Sequence, residues 1–68
     1  MRKGDLLICK ETIYDSNGFS IFLKGGEYKV LYVDNEDMQI KVCISCDIES
    51  KNNMVMIIEE VHKKFKIK

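Results

Sequence analysis

Proline and tryptophan are absent from this 68-residue sequence, and glycine occurs only four times. That scarcity excludes a polyproline segment, a flexible linker or a low-complexity tract. Net charge is missing as well, because eleven basic residues balance eleven acidic ones. A neutral total removes the usual electrostatic footprint of bulk nucleic-acid binding, though a local basic patch could still act. Three cysteines is an odd number, so a complete set of intramolecular disulfides is excluded. No apolar stretch approaches the ~20 residues that span a bilayer. The opening Met1-Arg2-Lys3-Gly4-Asp5 lacks the apolar core of a signal peptide. Reduced thiols, a cytoplasmic location and no membrane contact are the expectation.

What is present is a chain 46% hydrophobic, rich enough to form a globular core. Its length allows one domain, residues 1–68, with no room for a second core. A chain of this size buries only about 60% of its unfolded surface, so its stability is marginal. The charge is unevenly spread: residues 1–33 carry +1, residues 34–60 carry −5, and residues 61–68 carry +4.

The strongest local signal is a pair of β-rich runs, 27–33 and 38–46, around the polar turn Asp34-Asn35-Glu36-Asp37. Such a pattern predicts a hairpin. In the second run Met38, Ile40, Val42, Ile44 and Cys46 alternate with Gln39, Lys41, Cys43 and Ser45. In the first, Tyr28, Val30 and Tyr32 share one face. Residues 5–10 form an earlier strand through Leu6, Leu7 and Ile8. Residues 11–18 read as a loop whose Asp15-Ser16-Asn17-Gly18 is rich in turn formers. Residues 19–23 follow as a short strand or ordered arm, and Gly25-Gly26 is the next break. After a polar turn at 47–53, Met54-Val55-Met56-Ile57-Ile58 is a strand apolar on both faces. A single helical or 3₁₀ turn at 59–64 and a brief closing strand at 65–67 complete the order. The expected core is Leu6, Ile8, Tyr28, Val30, Ile40, Val42, Val55, Ile57 and Phe65.

This order is all-β: a small, partly open antiparallel barrel of about five strands with one short helical turn. It resembles SH3-like barrels, in particular very small ones often encoded by bacteriophages and prophages. The resemblance rests on Lys3-Gly4-Asp5 before the first strand, Gly25-Gly26-Glu27-Tyr28-Lys29-Val30 opening the next long one, and the Asp34-to-Asp37 turn. The Ala-Leu-Tyr-Asp-Tyr-like stretch and tryptophan of proline-peptide-binding SH3 domains are missing, which speaks against that ligand. The resemblance implies a small mobile-element protein that modifies a host process.

No catalytic signature is present, so the chain is expected to be a non-enzyme without a cofactor. Cys43-Ile44-Ser45-Cys46 has the spacing of zinc and redox sites. A closed zinc site needs four ligands, and only Cys9 and His62 remain to complete it. Residues three apart on a strand also point to opposite faces, so Cys43 and Cys46 read first as small apolar residues. His62, among Glu59, Glu60, Lys63 and Lys64, reads as exposed and inert. The acidic pairs Glu36-Asp37 and Glu59-Glu60, with Asp47 and Glu49, read as turn and surface residues rather than a catalytic cleft.

Two surfaces could carry function. Tyr14, Phe19 and Phe22, in and after the early loop, are candidate anchors for a protein partner. Tyr14 and Phe19 are the better candidates. Alternatively Lys63, Lys64 and Lys66 could track a nucleic-acid backbone while Phe65 stacks on a base. The competing reading has Phe65 and Ile67 closing the core while the lysines guard a sheet edge. Met54 and Met56 are the candidates for burial in a homodimer, since their strand holds more apolar surface than a monomer can readily hide.

Overall fold

The computed structural model describes residues 1–36, 38–47 and 52–68, with Glu36 described by its backbone alone. The chain is mostly β, with one short helix. Strand β1 is Leu6–Cys9, β2 Ile13–Tyr14, β3 Ser20–Phe22, β4 Glu27–Glu36, β5 Gln39–Ser45, β6 Asn53–Ile57 and β7 Phe65–Ile67; helix α1, Ile58–Lys64, joins the last two. Five strands form one sheet in the order β6-β5-β4-β1-β7, and β2 pairs with β3 as a separate hairpin. Every described pairing is antiparallel. The sheet is not closed, and β6 and β7 are its edges.

Strand β4 organises the sheet because it serves two partners in succession. Its first residues pair with β1, Tyr28 opposite Leu7, and from Val30 onward it pairs with β5. At the changeover the register shifts: Val30 lies opposite Ile44, but Tyr32 lies opposite Cys43. The extra residue, Leu31, is a β-bulge, which bends a strand and steepens its twist. It also reverses the inside–outside alternation beyond it. Tyr28 and Val30 therefore face inward, whereas Tyr32 faces out and is 48% exposed. This corrects the expectation that all three share a face. Strand β4 also runs further than expected, to a Glu36–Gln39 pair, so Asp34 and Asn35 belong to it, whereas β5 is one residue shorter at each end than the expected 38–46. Of the expected turn residues, Asp37 lies outside the described residues, as do 48–51 of the next turn.

The core consists of Leu7, Cys9, Phe22, Val30, Val42, Ile44, Val61 and Phe65, all essentially inaccessible. Tyr28, Val33, Met56 and Ile58 pack partly buried against it. Val30, Val42 and Phe65 are buried as expected, and Tyr28 partly so. Leu6, Ile40, Val55 and Ile57 are instead exposed, and Ile8 is only half-buried. On β1 the inward positions are Leu7 and Cys9, because they lie opposite Tyr28 and Phe65. A one-residue shift moves a strand's whole apolar set to the other face. Leu6-Leu7-Ile8 is apolar throughout and gives no sign of which parity is inward.

Helix α1 sits where the sequence places a helical turn and is a little longer, starting at Ile58. Val61 is its buried residue. Glu59 and Glu60 in the first turn and Lys63 and Lys64 in the last complement its dipole. Its final carbonyls are taken up across the fold: Lys10 N–H donates to Lys64 O at 2.7 Å, and Lys10 Nζ to His62 O at 3.2 Å. The chain leaving β1 thus caps the end of the helix.

Candidate functional site

The early segment read as a loop contains a hairpin of its own. Ile13 pairs with Phe22 and Tyr14 with Ser20, with a register shift between them. Its tip, residues 15–19, is organised by Asp15. Asp15 Oδ1 accepts from Asn17 N–H at 2.9 Å and Phe19 N–H at 3.0 Å, an Asx-turn arrangement. Asp15 O accepts from Gly18 N–H, and Asp15 N–H donates to Phe19 O at 2.8 Å. Gly18 sits at φ +87°, with open space where a Cβ would stand, so backbone conformation alone requires glycine there.

The base of the hairpin is held as firmly. Phe22 is fully buried, its ring edge-on to Tyr28 at 4.8 Å and to Phe65 at 5.2 Å. Lys24 N–H donates to Thr12 Oγ1, and Leu23 N–H to the Tyr28 hydroxyl at 2.7 Å. The Tyr28 ring lies so close over Gly26 that a Cβ there would stand 2.9 Å from it. Below, Lys64 Nζ meets Glu11 Oε1 at 2.8 Å, and the Cys9 thiol donates to Glu11 O.

Two aromatic rings project from this framework: Tyr14 is 63% and Phe19 71% exposed. Leu23, exposed at the end of β3, adds a third large apolar side chain that the sequence did not single out. Phe22 is removed from the candidate anchors, because it occupies the centre of the aromatic core and reaches no solvent. The alternation along residues 19–22 carried no mark of which aromatic turns inward. The role of Asp15 was partly visible in Asp15-Ser16-Asn17-Gly18, a turn sequence whose side-chain contacts only the folded hairpin supplies.

The basic end is arranged differently from a nucleic-acid groove. Phe65 is buried at 2% exposure and offers no face to a base. Lys64 is paired with Glu11, Lys68 with Glu27 at 2.8 Å, and Lys63 lies 3.9 Å from Glu60. Lys66 is exposed on edge strand β7. Ile67, expected to close the core with Phe65, is half-exposed.

Cys43 and Cys46 face opposite sides, as strand geometry demands. Cys43 is buried on the outer face of β5 between Tyr32 and Val55, whereas Cys46 packs partly against the core. Burial pushes the Cys46 thiol up, with Asp47 and Cys43 adding to it. Burial also raises the Cys9 thiol, against the opposing hydrogen bond to Glu11 O. Among the described residues no three His, Cys, Asp or Glu side chains gather where a metal could sit. His62, Glu59 and Glu60 are exposed on α1. Asp37, Glu49 and the side chain of Glu36 lie outside the described residues. Met56 is partly buried against the core, and Met54 is 36% exposed on the edge strand.

Among the described residues no helix is long and apolar enough to cross a membrane. Comparison with protein families, curated proteins and solved structures yielded no match for this chain.

Proposed function

We propose that this chain is a non-catalytic protein-interaction module that binds its partner through the aromatic tip of the β2–β3 hairpin. The observation that carries the reading is the pairing of Tyr14 and Phe19, widely exposed, with a backbone pinned by Asp15. Aromatic side chains have few rotatable bonds, and a preformed loop loses little entropy on binding. Exposed aromatics on a rigid support are therefore effective anchors.

The architectural reading is an SH3-like, partly open barrel. It is supported by the strand order, by the long β4 bent at its bulge, and by a short helix leading into a last strand beside the first. In such a frame the β2–β3 hairpin takes the place of a long loop above the sheet. The resemblance to small phage-encoded barrels extends the proposal to a cytoplasmic mobile-element protein that modifies a host process.

The test compares proteins captured by the parent, by a Tyr14→Ala/Phe19→Ala variant and by a Lys63→Glu/Lys64→Glu/Lys66→Glu variant. A partner lost only with the aromatic pair supports the proposal. Unchanged capture by that variant rejects it, and recovery of nucleic acid lost only with the lysine variant favours the basic end.

A further inference from the structure

We infer that strand β6 is a self-pairing edge, through which two copies of this chain associate about a two-fold axis at Val55. The two edges of the sheet are built differently. Edge β7 has three residues with Lys66 at its centre, and the neighbouring Lys68 is held by Glu27. Lysine and short length are the usual means by which an edge is kept from pairing. Edge β6, Asn53-Met54-Val55-Met56-Ile57, has neither. It is uncharged, holds no proline, and keeps an unbroken register with β5 from Lys41–Ile57 to Ser45–Asn53.

The strand is also its own complement. An antiparallel copy centred on Val55 places Val55 opposite Val55, Met54 opposite Met56, and Asn53 opposite Ile57. Parity is kept: the methionines meet on the inner face, where Met56 already packs against the core. Val55 and Ile57, 48% and 38% exposed, meet the partner's residues on the outer face. No charged side chain of β6 is brought against another. Apolar character on both faces of an exposed edge leaves surface that a second strand would cover.

The surface available limits the strength. A five-residue strand offers less than the about 800 Å² per partner of a standard stable complex. The association is therefore reversible and concentration-dependent. It is independent of the aromatic tip and stands whether or not the tip binds a partner.

The experiment is light scattering across a concentration series for the parent, Val55→Lys, Val55→Glu and an equimolar mixture of the two variants. The parent's mass should rise from 7.9 kDa toward twice that value. Each variant alone places like charges directly opposite and should weaken dimerisation at least about tenfold. Mixing them places opposite charges together and should restore it, which a folding defect would not permit. A parent mass fixed at 7.9 kDa overturns the inference. So does undiminished dimerisation of either variant alone, or failure of the mixture to recover.

Discussion

Phe22 of β3 stands edge-on to Phe65 of β7, with ring centroids 5.2 Å apart and planes at 86°. Tyr28 completes the group, perpendicular to both. These contacts attach the early hairpin to the strand that closes the chain. Edge-to-face pairs contribute about 0.5–1.5 kcal/mol beyond the apolar area they bury. Phe22→Ala is expected to destabilise the fold by about 3–5 kcal/mol, a large share of what a domain this small has. Phe19→Ala, at an exposed position, should change stability by less than about 0.5 kcal/mol. Urea denaturation of the two variants separates framework from surface. Equal losses would mean that Phe19 is packed rather than presented.

Asp15→Ala should loosen the tip without unfolding the sheet. It removes the acceptor of two backbone N–H groups, each bond contributing about 0.5–1.5 kcal/mol. Hydrogen exchange at the amides of Asn17 and Phe19 should accelerate, while exchange in β4 and β5 stays as in the parent. A tip unaltered by this change would show that Gly18 and the strand pairs alone shape it.

The Glu11–Lys64 pair gives the attachment a pH dependence of definite sign. The Lys64 ammonium holds the Glu11 carboxyl below its ordinary value of 4.5. Its contribution is thus present above 4.5 and is lost as pH falls through the lower folded-state value. Lys64 is raised from 10.5, chiefly by Glu11, so its side of the pair persists at neutral pH and is lost only above 10.5. Glu11→Gln should make thermal stability less sensitive to acid below about pH 4.5. The effect is small, because both groups are exposed, and it should shrink further in high salt. An acid limb unchanged by Glu11→Gln would remove this pair as its source.

The three cysteines are free thiols of unequal access. Cys9 and Cys43 are buried, while Cys46 is half-buried. Burial raises both Cys9 and Cys46, so neither is a ready thiolate at neutral pH. A thiol reagent should label Cys46 first and slowly, with all three reacting rapidly in denaturant. Cys46→Ser should remove that first phase. Faster labelling of Cys43 would mean that Tyr32 and Val55 do not cover it.

Much of the order of elements could be read from residue pattern, since β1, β3, β5, β6, the helical turn and the last strand lie close to where the sequence places them. What the pattern misjudged was orientation. The Leu6-Leu7-Ile8 run is apolar at every position and carries no parity signal. Tyr28, Val30 and Tyr32 carry a clear signal that the bulge at Leu31 cancels. Strand β2 escaped notice because two residues, Ile13 and Tyr14, are too few to show a period. At the candidate site, both exposed anchors were legible as aromatics near a turn. Their difference from Phe22 was not, because it depends on which ring meets Phe65.

The sequence by itself determined that this chain forms strands, roughly where most of them lie, and that its cysteines cannot all be bridged. Those properties depend on side-chain alternation, turn residues and counting, all of them local. Tertiary structure decided which faces turn inward, that Lys64 pairs with Glu11, and that β6 lies at an edge of the sheet. Each depends on long-range pairing, because a strand's neighbours fix its buried face and leave its remaining groups to solvent or to another chain.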